Sequence, residues 1–305
     1  MKIKNFYIVL SWFNYFKLKV VYNLKEVNMK IDKITKIWNF FILEVEFLQD
    51  KINFNQEVAT NYYGDILYYF KDTLDLIKVN KIENDNFKDG IFNVIGLMQI
   101  IYAHQDLTDE LLYIFKLQQS SKKDKLPNRK IRNELVGHPV NRSPVDNKLQ
   151  SSVIFGKNNG KGYIHYIKYE RENNFSFKDV KYSIKDIINY HKDFLNKYLD
   201  KILKKLHNIL KSYKKSLENI LKIVLKENQF LKVLNLAKKY YPYIFKYNFL
   251  FQKEILLDCY EKRSNHFRYE KAINDFLLEL ESGIRETINR IEEILTEKKE
   301  SENYK

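Results

Sequence analysis

The residues best suited to phosphate chemistry stand in one stretch, Asn128–Arg142, NRKIRNELVGHPVNR. It holds three arginines, Arg129, Arg132 and Arg142, and His138, in a chain with only 6 His. It also holds Gly137 and Pro139, in a chain with 8 Gly and 4 Pro. Arg offers a planar, permanently charged fork that fits phosphate oxygens. His changes protonation near neutral pH and serves as general acid or base. The pair suits cleavage of a polymer that carries its own nucleophile, the 2′-hydroxyl of RNA. Arg would face the charge that grows on the phosphorane oxygens. That scheme needs no metal.

These side chains must be positioned by a short helix and its exit. Pro127 fits the first turn, where a missing N–H costs little. Ile131 and Leu135 are four apart and share a helical face. Gly137 in a left-handed conformation, followed by Pro139, reads as a helix stop. His138 precedes a proline, so its backbone is restricted. On a straight helix the Arg132 and His138 side chains would point about 120° apart. The end of the helix must swing His138 back.

The sequence Arg132-Asn133-x-x-x-x-His138 resembles the Arg-(x4–6)-His motif of HEPN-domain proteins, in which a polar residue often follows the Arg. The resemblance covers about residues 29–200. It implies a helical bundle and a metal-independent ribonuclease whose active site is built from two copies of the motif in a homodimer. Arg132 and His138 would be the catalytic pair and Asn133 a polar support. Such bundles often aim polar groups from an earlier helix at the motif, which makes Gln105 and Asp106 supporting candidates. The products would be a 2′,3′-cyclic phosphate and a 5′-hydroxyl. A toxin–antitoxin or anti-phage role is implied, with RNA as substrate. A regulatory protein, such as a nucleotidyltransferase-type antitoxin, would then be a partner.

Composition bounds the rest. The formal net charge of +14 suits a polyanionic partner, although the excess is nearly all Lys. The single Cys259 excludes an internal disulfide and any Cys-based zinc site. The scattered His form no metal-binding pair. No cofactor or metal is expected, and the cytoplasm is the expected compartment. Residues 1–28 carry an apolar run too short to span a membrane. It is a structured element, a mis-start ahead of Met29, or a targeting segment; membrane association is not expected.

Helical periodicity runs from Met29 to about Asp50, from Gln56 to about Val79, and from Ile91 to about Gln118. SSKKDK over 120–125 reads as a flexible linker. Around 151–170 the period changes and predicts a β-hairpin whose turn carries Lys157 and Lys161. With Arg129 and Arg142, these lysines are the candidate RNA contacts, and Tyr163 and Tyr169 share a face of the second strand. A long helix is expected from about Lys178 to Asn228, then an aromatic-rich helical region broken at Pro242. The expected class is all-α: an HEPN-like helical domain over 29–212 with a small hairpin insertion, then a helical C-terminal region over 213–305. The rival reading is a non-catalytic helical scaffold that binds protein or nucleic acid, favoured if His104 and Asp106 face solvent away from His138.

Overall fold

The computed structural model describes residues 25–60, 62–77, 86–159, 161–225, 229–246 and 249–296. Most of the expected N-terminal segment, 1–28, lies outside them. The chain is mostly helical, but it also contains a four-stranded antiparallel sheet, so the all-α expectation needs correcting. Two compact units are distinguished. One holds residues 25–32 and 51–202; the other holds 33–50 and 203–296.

Helix α1 spans 25–37 and runs into a π turn, Trp38–Glu44, that extends it. Helix α2 is Tyr62–Leu74, shorter than the periodicity suggests. Residues 56–59 form turns instead, with Asn55 Oδ1 accepting from the Val58 N–H at 2.9 Å. Helix α3, Phe87–Ile114, begins four residues before Ile91 because the Asn86 side chain caps the N–H groups of Lys88 and Asp89. It ends short of Gln118, where Lys116 takes a left-handed φ of 48°.

Helix α4, Lys122–Arg132, overturns two expectations. SSKKDK is not a flexible linker. Ser121 caps the helix by accepting from the Lys123 N–H at 3.1 Å, and Asp124 accepts from the Tyr198 hydroxyl at 2.5 Å. Pro127 therefore lies inside the helix rather than in its first turn. Its missing N–H would leave the Lys123 carbonyl without a helical donor. The Tyr190 hydroxyl approaches that carbonyl instead, at 3.4 Å.

The sheet is a meander of β1 Val140–Arg142, β2 Leu149–Phe155, β3 Tyr163–Glu170 and β4 Phe177–Ser183, in that spatial order. The expected hairpin is β2 and β3. Strand β1 escapes detection because it is three residues long. Strand β4, FKDVKYS, escapes detection because its apolar residues Phe177, Val180 and Tyr182 do not alternate, Phe177 facing away from the other two. The helix α5 accordingly begins at Ile184 and runs to Val224. One sheet face, with Ile164 and Tyr166, packs on Ile131 and Leu135 of the motif segment and on Ile184, Ile187 and Ile188 of α5.

The second unit contains the end of α5, α6 Phe230–Ala237, α7 Tyr241–Phe245, α8 Phe249–Glu261 and α9 Phe267–Leu295. Pro242 sits in the first turn of α7, where a proline is tolerated. Phe47, Tyr213, Phe230, Tyr241 and Phe249 are buried: Phe47 stacks on Tyr213 at 3.8 Å, and Tyr241 meets Phe249 at 4.4 Å.

A buried polar chain joins α2, α3 and α5. The Thr73 hydroxyl donates to the Tyr69 carbonyl at 2.5 Å, so it accepts from His104 Nε2 at 2.6 Å. His104 Nδ1 is then bare and accepts from His191 Nε2 at 3.0 Å. His191 Nδ1 is left buried without a partner among the described residues. Desolvation lowers both imidazoles, His104 to about 3 and His191 also well below the ordinary range, with the His104 charge a second cause for His191. The unfolded chain therefore binds more protons than the folded one below about pH 6.5. Stability from this pair is complete above that pH and falls as pH drops towards 3. Urea unfolding should lose about 2 kcal/mol per histidine between pH 7.5 and pH 5. The drop should vanish in His104→Gln/His191→Gln; equal stability of the wild type at the two pH values would contradict the assignment.

Candidate active site

The segment after Arg132 does not end as a left-handed glycine cap. Asn133–Gly137 forms a π turn, closed by the His138 N–H donating to the Asn133 carbonyl at 2.7 Å. A π turn places one more residue in each hydrogen-bonded ring than an α turn. It shifts the phase at which His138 leaves the helix. Gly137 keeps an ordinary φ. Its need for no side chain is steric: a Cβ there would lie 2.7 Å from Arg132 Nη1. The guanidinium thus lies against the backbone of the residue preceding His138. His138 itself is exposed, with φ −138° and ψ 66°.

Arg132 is aimed by neutral groups. Its Nε donates to Gln99 Oε1 at 3.0 Å and its Nη1 to Asn133 Oδ1 at 3.1 Å. Its Cζ lies over the Tyr102 ring, 4.3 Å from the centroid. Among the described residues no carboxylate pairs with it. Amide acceptors and a π face fix the fork without cancelling its charge.

Arg129 stands beside it under different terms. Its Cζ also lies over Tyr102, at 4.5 Å. Its Nε donates to Gln105 Oε1 at 3.0 Å, and its Nη2 is ion-paired with Asp106. Gln105 and Asp106 therefore support the stretch through Arg129, and Asn133 supports Arg132 directly. His104, in the same run, faces away into the buried chain described above.

The structure groups Arg129, Arg132, Asn133, Gln105 and Asp106, with His138 at the adjoining exit. The other candidates are placed by the sheet. The Val153 N–H donates to the Pro139 carbonyl at 2.8 Å, so the β2–β3 turn with exposed Lys157 and Lys161 lies at the same sheet end as His138. Arg142 lies at the other end of β1, where its Nη1 donates to the Asn147 carbonyl at 3.0 Å. It closes the β1–β2 turn.

Three contributing residues escape the sequence reading. Gln99 and Tyr102 precede Gln105 and Asp106 at spacings of three and four, a stripe along one side of α3. That stripe was the available signal. Glu134 is the third: it accepts from the Tyr166 hydroxyl at 2.6 Å and from Lys168 Nζ at 3.0 Å. Burial raises the Tyr166 phenol and the Glu134 carboxylate raises it further. This bond ties the π turn to β3, and no local sequence pattern announces it.

Among the described residues, no three His, Cys, Asp or Glu converge as metal ligands, and no helix is long and apolar enough to cross a membrane. No protein-family model matches the chain, and no curated protein or solved structure is detectably similar to it.

The Gly137 contact generates a test. Only the end of a flexible side chain opposes a methyl there, so Gly137→Ala should displace Arg132 rather than unfold the chain. The melting temperature should stay within about 2 °C of wild type, while the Arg132 Nε–H resonance, held by Gln99, should shift towards solvent-exposed arginines. An unmoved resonance would refute the contact.

Proposed function

We propose that the chain is a metal-independent endoribonuclease of the HEPN kind. The observation that carries the reading is Arg132: a guanidinium aimed by two neutral amides and a ring, unneutralised, lying against the backbone that presents an exposed histidine. Such a cation suits a phosphate whose charge grows during reaction.

In the proposed reaction His138 accepts the proton of the 2′-hydroxyl, and the 2′-oxygen bonds to phosphorus. The bond from phosphorus to the 5′-oxygen breaks. The leaving 5′-oxygen takes a proton, and a 2′,3′-cyclic phosphate remains. Each chain carries one motif, so the homodimer that the resemblance implies would bring a second His138 to act as acid. Arg132 holds the nonbridging oxygens throughout. A regulatory partner of the antitoxin type, a role in toxin–antitoxin or anti-phage defence and a cytoplasmic setting belong to the same proposal.

The purified protein should cleave mixed tRNA, rRNA and mRNA in EDTA. Arg132→Ala and His138→Ala should each lower the rate by about 100-fold or more. Equal cleavage by all three proteins would sink the assignment, and no cleavage by wild type would favour the scaffold reading.

The charge argument has its own test. Gln99→Glu keeps an acceptor for Arg132 Nε but partly neutralises it; Gln99→Leu removes the acceptor and leaves the charge. The Glu variant should be slower than the Leu variant by about fivefold, the value of an exposed ion pair near 1 kcal/mol. Equal rates would show that uncompensated charge is not what Gln99 preserves.

A further inference from the structure

The outer face of the sheet carries a cluster of aromatic rings. Its inner face is covered by the core, and strand alternation turns the intervening residues outward. Across the registers, Val140, Ser152, Tyr169 and Phe177 form a single cross-strand row. Val140 is only two residues beyond His138, so the row begins at the exit of the candidate active site. At the usual strand spacing Tyr169 lies about 10 Å and Phe177 about 14 Å further across. Phe177 is 74% exposed, and its ring lies 5.3 Å from that of Tyr169.

The turn that follows β3 is shaped to add a third ring. Phe175 stacks on Tyr169 at 5.0 Å. To do so Asn174 and Phe175 take consecutive left-handed φ values of 48° and 54°. A bulky residue there costs of order 1–3 kcal/mol. A turn that merely reversed the chain would avoid that cost with glycine. The strain is offset by placing an aromatic ring against the row.

Charge decides the occupant. The β2–β3 turn bears exposed Lys157 and Lys161, and no described acidic residue pairs with either. On the face itself Lys181 pairs with Asp179, which is also bonded to His165 at 2.5 Å. A basic turn at one end of β3 and sequence-tolerant π faces about 20 Å along it at the other can both be reached by a few unpaired nucleotides, and phosphate and π contacts together are the means by which single-stranded nucleic acid is bound.

We propose that the Tyr169–Phe177 row, with Phe175 and the Lys157/Lys161 turn, is a binding platform for single-stranded RNA next to the Arg132–His138 site. The platform rests on the ribonuclease reading for its choice of occupant. It adds a substrate class: unpaired segments rather than duplex.

The test uses the full chain carrying His138→Ala, so that the probe survives. Anisotropy is followed with a fluorescein-labelled, mixed-sequence 12-nucleotide RNA strand and with the blunt duplex of the same sequence. The strand should bind more tightly than the duplex. Tyr169→Ala and Phe177→Ala should each weaken it about tenfold, within the range of one stacked base. Phe177→Leu should be as poor as Ala, because leucine keeps apolar area but has no π face. Lys157→Ala/Lys161→Ala should reduce the salt dependence by about two phosphate contacts.

Strand binding unchanged in the ring variants, absent altogether, or weaker than duplex binding overturns the platform. So does rescue by leucine together with self-association, seen by sedimentation, that depends on Phe177; a second copy of the chain would then cover the face. Cleavage by the protein with His138 intact is measured in parallel. Ring-dependent binding without cleavage overturns the cleavage reading alone, and cleavage with ring-independent binding overturns the platform alone.

Discussion

The 2.7 Å hydrogen bond from the His138 N–H to the Asn133 carbonyl governs the arrangement around the Arg–His stretch. It lengthens the last ring of the helix by one residue, and three placements follow. Gly137 comes to rest on the Arg132 guanidinium. Glu134 turns towards the sheet, where Tyr166 and Lys168 hold it. Pro139 leaves in the direction that lets its carbonyl pair with β2. An ordinary α turn would supply the same residues with a different phase.

Two arginines over one tyrosine repel each other, and the structure resolves that conflict asymmetrically. Asp106 neutralises Arg129, which then serves as a packed support. Among the described residues Arg132 receives amide oxygens and no carboxylate, and it keeps its charge. A carboxylate at position 99 would stabilise the resting protein and cancel the charge that Arg132 keeps. The division of labour follows from which acceptor, amide or carboxylate, faces each fork.

The helices of this unit were legible from period and apolar spacing, and Ile131 with Leu135 marked the buried side of the motif segment. The stretch itself was visible because it gathers rare residue types. Errors fell where a local rule met a distant partner. Pro127 looked like a helix start, yet Tyr190, far along the chain, supplies a donor for the orphaned carbonyl. SSKKDK looked flexible until Asp124 found Tyr198. Gly137 looked like a left-handed cap, but its smallness makes room for Arg132. Strand β4 was hidden because Phe177, Val180 and Tyr182 do not alternate, and β1 was too short for any periodicity to show.

Each strand of the sheet pairs with its neighbour in sequence. Such a meander closes only short loops, so its formation costs little chain entropy and depends little on distant segments. Strand β1 continues directly from the motif. The backbone that presents His138 is therefore among the parts of the chain that can order early, within a few tens of residues of its own synthesis. What arrives later is the start of α5, whose Ile184, Ile187 and Ile188 cover the core and whose Tyr198 secures the first turn of α4. Until those residues emerge, Arg132 hangs on a helix with one wall missing. That order of assembly completes the walls around Arg132 only after the start of α5 has followed.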